Sequence, residues 1–158
     1  MKYGVYLDEL QIPRHILDAV ANSYTYVTSD FVTKKKEGMP LGHYREEFGR
    51  VAIHLPRRMG HSTAAIMLLY ALDDALLFVK NGQEKTRLRE IIKAFGEQKV
   101  RDDLLDRIIL PSWLGQKSLG SRTGDRSMII FDGASRYDIN QKAKVEFRFP
   151  AKLIVDLQ

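Results

Sequence analysis

The chain contains no cysteine, which excludes disulfide crosslinks and thiolate metal ligands. Its four histidines, His15, His43, His54 and His61, stand far apart and show none of the spacing of zinc-ligand pairs. Neither a G-x-S-x-G elbow nor another nucleophile signature is present. The longest apolar run, Ala64 to Leu72, falls well short of the roughly 20 residues that span a bilayer. Met1 to Asp8 lack the apolar segment of a signal peptide, so a cytoplasmic location is the default expectation. Internal repeats and low-complexity tracts are absent as well.

What remains is an ordinary globular composition, 44% hydrophobic and 28% charged over 158 residues, enough for one domain with a real core. The net charge of +5 is unevenly placed. Residues 1–49 carry 6 basic and 7 acidic side chains, residues 50–106 carry 10 and 8, and residues 107–158 carry 9 and 5. The basic excess grows toward the C-terminal third, which permits an anionic partner such as a nucleotide or nucleic acid.

Three regions are legible along the chain. Residues 1–49 predict a helix from about Pro13 to Ser29, with Ile16, Leu17, Val20, Tyr24 and Val27 at helical spacing. An exposed loop is expected over Thr33 to Gly42, containing Lys34, Lys35, Lys36 and the Gly38-Met39-Pro40 turn signal. Residues 50–135 change character. Short apolar runs at Val51–Leu55, Ala75–Val79, Arg107–Leu110 and Ser127–Phe131 read as strands. Between them lie an all-round apolar helix over 63–72 and an amphipathic helix over 83–95, with a short helix near Val100 to Leu105. The amphipathic helix carries Leu88, Ile91, Ile92 and Phe95 on one stripe, while Lys85, Arg87, Arg89, Glu90 and Lys93 face out. Residues 136–158, with Val145, Phe147 and Phe149 in alternation before Leu153-Ile154-Val155, read as one or two edge strands.

Continuous apolar strands separated by helical crossovers are what a parallel sheet covered on both faces requires. The expectation is a single three-layer α/β domain with a mainly parallel sheet. Ligands in such sheets bind beyond the carboxyl ends of the strands, which directs attention to the turn after the first core strand. It reads Leu55-Pro56-Arg57-Arg58-Met59-Gly60-His61-Ser62-Thr63. A phosphate-binding loop needs amides curled toward an anion, a helix start adding its dipole, a lysine for the outer phosphates and a Ser/Thr hydroxyl for Mg²⁺. Gly60 and Ser62 are placed for two of these roles. Leu55 stands in the slot of the first glycine and His61 in that of the lysine. A Gly-Ser-Thr turn that merely caps a buried helix is the plainer reading of the same residues.

The ordered set resembles a P-loop NTPase core of the RecA-like type, as in phage terminase and helicase-type ATPases. That likeness is carried by Pro56–Thr63 before an apolar helix, by Ala75–Gln83, and by Ser127–Ser135 with its strand-terminal Asp132. It implies that Arg57, Arg58, Gly60, His61, Ser62 and Thr63 hold nucleotide phosphate, and that Ser62 and Asp132 hold Mg²⁺ of an ATP complex. It also marks two departures. His61 replaces the lysine that would set a fixed charge against the phosphates. Gly133 stands where a glutamate commonly orients the attacking water, and it has no side chain to do so. The implied protein is a degenerate P-loop NTPase-like chain, nucleotide-binding with weak or no hydrolysis. Two alternatives stay open: an active ATPase that uses Arg57 or Arg58 in place of the lysine, and a non-catalytic viral adaptor or structural interaction protein.

Nucleic acid is the second expected ligand. Residues 115–126 form a basic, glycine-containing loop in which Lys117, Arg122 and Arg126 are candidates for backbone-phosphate contacts. Trp113 and Tyr137 lie near enough in sequence to offer stacking faces, with packing as the plainer role for Trp113. The resemblance implies association with nucleic acid or a nucleic-acid-handling assembly of phage type, in the host cytoplasm if the protein is viral. The chain past Asp132 is too short for a second helicase lobe, so motor function would require a homo-oligomer or a larger assembly. No membrane partner is expected.

Overall fold

A computed structural model describes residues 13–56, 59–115, 125–134 and 137–158. Its strands are β1 (Arg50–Ile53), β2 (Leu76–Phe78), β3 (Ile108–Ile109), β4 (Arg126–Asp132) and β5 (Ala151–Leu157). Its helices are α1 (Arg14–Val27), α2 (Asp30–Glu37), α3 (Leu41–Glu47), α4 (His61–Ala71), α5 (Gly82–Ile92), α6 (Gln98–Asp106) and α7 (Ile139–Arg148), with a 3₁₀ turn over Pro111–Gly115. The five strands form one sheet in the order β1-β5-β4-β2-β3. Every pairing is parallel. The expected α/β class with a parallel sheet is the class observed.

Side-chain alternation along the strands divides the interior into two cores. Leu77 and Val79, Ile108, Met128 and Ile130, and Leu153, Val155 and Leu157 meet α1, α4, α5 and α6 on one face. Leu76, Phe78, Ile109, Ile129, Phe131 and Ile154 meet Val145 and Phe149 on the other. Phe78 packs on Phe131 and Phe149 with ring centroids 5.6 and 5.8 Å apart, and Tyr137 meets Phe131 edge-on. With both faces covered, β2, β3 and the middle of β4 are apolar on both sides, which is why these runs show no polar alternation.

The all-round apolar helix is α4, and its burial explains its composition. Ala64 through Leu69 are all buried, because α4 lies on β2 and β4 while α1, α5 and α6 cover its other sides. Its last carbonyls are closed by Arg107, a buried guanidinium that donates to Leu69 and Leu72 at 2.7 Å each. Arg107 also pairs with Asp103 at 2.7 Å. That contact ties the end of α4 to α6.

Two expectations are corrected. The segment expected as a loop over Thr33 to Gly42 is largely α2, begun by Ser29, whose side chain caps Val32. Lys34, Lys35 and Lys36 fill the last turn of α2, where cations complement the helix dipole. The C-terminal segment expected as edge strands is helix α7 followed by β5, and β5 lies inside the sheet between β1 and β4. Val145 and Phe149 are buried one helical turn apart while Phe147 is exposed; the apparent alternation was a helical i, i+4 pair with an outward residue between. A capping box of Asp138 and Gln141 starts α7.

β5 is held on its β1 side by charge as well as by the ladder. Asp156, buried, accepts from Arg50 at 2.7 Å and from Lys142 at 2.8 Å. Arg50 also bonds Glu146 on α7. Burial works to lower the Arg50 pKa, but its bonds to Asp156 and Glu146 raise it overall. These groups link β1, β5 and α7 into one unit.

Candidate functional site at the carboxyl edge of the sheet

Three neighbouring chain crossings meet at the carboxyl edge. α4 leaves β1 on one face, α5 leaves β2 on the same face, and β4 between them sends the chain to α7 on the other. Where successive strands send their helices to opposite faces, the connecting loops part and leave a crevice. Ser62 at the start of α4, Asp132 at the end of β4 and Arg87 on α5 converge there.

Gly60 makes the turn into α4. It adopts φ 85° and ψ 21°, a left-handed conformation that L side chains seldom take. A Cβ at this position would lie 2.9 Å from the Pro13 Cβ. The first helical bond runs from the Ala64 amide to the Gly60 carbonyl at 2.8 Å. Among the described residues no side chain caps this helix. The amides of His61, Ser62 and Thr63 therefore present the positive end of α4 toward the crevice with no intrahelical acceptor. Such a helix start suits an anion.

Asp132, at the end of β4, meets the side chain of Ser62 at this helix start. Alternation along β4 puts Met128, Ile130 and Asp132 on the α4 side of the sheet. Ser62 Oγ donates to Asp132 Oδ2 at 3.1 Å, joining residues 70 positions apart. The Asp132 side chain is only 9% exposed. Burial pushes its carboxyl above its ordinary pKa, outweighing the lowering effects of the Ser62 hydrogen bond and the Arg87 charge. Glu84 adds to the upward push and His61 opposes it.

Arg87 was expected to face solvent with the rest of its helix surface. It does face out, 59% exposed, and from there its Nη2 donates to Ser62 Oγ at 3.0 Å. The same nitrogen lies 2.7 Å from Glu84 Oε2 and 4.0 Å from Asp132 Oδ2. Asn81 caps α5 through the Glu84 amide, which sets Glu84 and Arg87 on one face at the mouth of the crevice. No motif flagged Arg87; the one hint was its place in the helix directly after the second core strand.

The other expected residues are distributed as follows. Gly60, His61, Ser62 and Thr63 lie together at the start of α4. His61 Nε2 is buried and has no hydrogen-bond partner among the described residues. Arg57 and Arg58 lie outside the described residues. Gly133 has φ 69°, so the backbone itself favours glycine where a glutamate would otherwise stand. Lys117 and Arg122 lie outside the described residues. Arg126 begins β4, six residues from Asp132, which places it about 20 Å away at the opposite edge of the sheet. It lies over the Phe149 ring, 6.0 Å from the centroid. Tyr137 is buried against Phe131, and the Trp113 ring is faced by Lys85 Nζ at 4.7 Å. Both rings are engaged in packing rather than displayed for base stacking.

Mg²⁺ favours oxygen ligands, commonly one or two carboxylates completed by waters and substrate phosphates. Ser62 and Asp132 match that chemistry in kind. The place between them does not fit, because the Arg87 guanidinium lies against both. Among the described residues no three His, Asp or Glu side chains gather into a metal-holding group, and no helix is long and apolar enough to cross a membrane. Comparison of the chain with protein-family models, with curated proteins and with solved structures gave no match.

Proposed function

We propose that the carboxyl edge between α4 and β4 binds the phosphate groups of a nucleotide, with little or no hydrolysis, in a protein that works with nucleic acid or an assembly handling it. The observation that carries this reading is the Ser62–Asp132 contact of 3.1 Å at the start of α4, which no side chain among the described residues caps. The P-loop resemblance pairs these two positions, and the fold brings them together across an intervening strand. Phosphate oxygens would accept from the first-turn amides of α4, with Arg87 supplying a fixed positive charge and further N–H donors. Hydrolysis has less support. Gly133 offers no side chain to place a water.

Titration of the protein with ADP and ATP, followed by a phosphate-release assay, tests this. Millimolar or tighter binding with release at background supports the proposal. Release that survives His61→Ala but is lost in Arg58→Ala would instead indicate an ATPase using the loop arginines. Absence of binding by either nucleotide at millimolar concentration would refute the nucleotide reading. For nucleic acid, a salt series on a fluorescent oligonucleotide serves, since backbone contacts weaken steeply with salt; lack of binding at low salt removes that association.

A further inference from the structure

Ser62 Oγ has one proton to donate and lone pairs to accept with. Its proton is directed to Asp132, and a lone pair receives Arg87 Nη2. The guanidinium thereby sits on the hydroxyl that a divalent cation would have to ligate, and 4.0 Å from the carboxylate that would neutralise it. A metal ion and a guanidinium cannot share one hydroxyl oxygen at bonding distance, because like charges so close repel strongly. Glu84, one helical turn earlier, holds the guanidinium in place at 2.7 Å.

We infer that Arg87 is a built-in cation that takes the place of Mg²⁺ at the Ser62–Asp132 pair. This inference rests on the nucleotide-phosphate reading of the same site and assigns its counter-ion. The site then accepts phosphate without a divalent cation, and a metal gains access to Ser62 and Asp132 only when Arg87 leaves them. Arg87 suits the role. Its side chain is 59% exposed, so it is reachable by a ligand, and its fork of five donors keeps N–H groups for phosphate oxygens while one nitrogen holds Ser62. Its position also accounts for His61: the charge absent from the lysine slot is supplied from α5.

The test uses Mn²⁺ as a paramagnetic probe, read by water proton relaxation, on the wild type, Arg87→Ala, Arg87→Lys and the double variant Arg87→Ala/Asp132→Asn. Thermal melts confirm that each is folded. Mn²⁺ is expected to bind Arg87→Ala roughly tenfold or more tightly than the wild type, from the removal of one nearby positive charge. Arg87→Lys should stay near the wild type, and the double variant should lose the gain. Equal Mn²⁺ affinity in the wild type and Arg87→Ala overturns the inference, as does a gain that persists without Asp132. Calorimetry with ADP in EDTA or Mg²⁺ separates the two levels of argument. Wild-type binding is expected to be the same within about twofold in either buffer, with Arg87→Ala weakened about tenfold or more in EDTA and restored in part by Mg²⁺. Wild-type binding that strictly requires Mg²⁺ overturns the role of Arg87 and leaves the nucleotide reading standing. No ADP binding in either buffer defeats the nucleotide reading, while the Mn²⁺ series still decides the place of Arg87.

Discussion

Replacement of Gly60 by alanine probes the turn on which the candidate site depends. At φ 85°, an L residue costs about 1–2 kcal/mol. The added Cβ would also meet the Pro13 Cβ at 2.9 Å and its Cγ at 3.4 Å. Those are ring atoms of a buried residue at the start of α1, not the free end of a flexible side chain, so a backbone must yield. Overpacking of this kind costs roughly 1–3 kcal/mol. The stiffer unfolded chain of alanine returns about 0.4–1 kcal/mol. The net expectation is a loss of about 1–4.6 kcal/mol, seen as a fall in Tm of roughly 2–18 °C for a chain of this size. Urea unfolding followed by circular dichroism measures it. Two companions divide the cost. Gly60→Asn tolerates the left-handed region and keeps the contact, so it should lose less than alanine. In a Pro13→Gly background the contact disappears, and a double-mutant cycle should show a coupling of about 1–3 kcal/mol. A Gly60→Ala variant within about 0.5 kcal/mol of the wild type, with no coupling to Pro13, would refute both the conformation and the contact.

Other perturbations have equally definite expectations. Asp132→Asn should stabilise the protein at neutral pH, since the folded carboxyl has a raised pKa and burial of its charge is unfavourable. A raised folded pKa means that wild-type stability falls as pH climbs from the unfolded value near about 4 through the folded one; melts across pH 3 to 8, roughly that window, should show this slope flattened in Asp132→Asn. An unchanged slope would count against the buried carboxylate. Arg107→Ala leaves the Leu69 carbonyl without its donor, while the Leu72 carbonyl keeps the Ala75 amide, and should cost about 1–3 kcal/mol; a loss under about 0.5 kcal/mol would contradict that closure. Arg50→Met removes a partner from the buried Asp156 and Glu146 and should destabilise by about 1–3 kcal/mol, less than an unpaired charge would, because Lys142 and Arg45 remain beside them. Gly133→Glu should cost about 1–2 kcal/mol through its left-handed φ and restore no phosphate release; acquired turnover would show that the glutamate alone was missing.

The parts of the fold legible in sequence are those set by local pattern. The runs that became β2, β3 and β4 are apolar on both sides, and α4 is apolar all round, so each announced burial before any partner was known. That Ser62 and Asp132 meet was anticipated through the P-loop resemblance, which pairs a helix start with a strand end, and the two side chains do lie in contact. Register and order were not. Nothing local to Leu153-Ile154-Val155 shows that β5 enters between β1 and β4, because that choice is made by distant partners, among them Arg50 for Asp156. The α7 segment misled because Val145, Phe147 and Phe149 satisfy a period of two as well as a helical i, i+4 spacing; Asp138 and Gln141, the capping box, were the discriminating signal. Arg87 was missed for a related reason. It is solvated, as an arginine on the polar side of an amphipathic helix should be, and nothing local shows that the start of α4 puts a hydroxyl within its reach.

The central claim, that phosphate binds at the start of α4 beside Asp132, is tested most directly by amide chemical shifts during a titration of the isotope-labelled protein with ADP. The account predicts saturable shifts concentrated at His61, Ser62, Thr63 and Ala64, with smaller ones at Asp132, Gly133 and Arg87, and their loss on Ser62→Ala/Arg87→Ala. Shifts centred on Arg126 at the opposite edge of the sheet, or no saturable shifts at millimolar ADP, would contradict it.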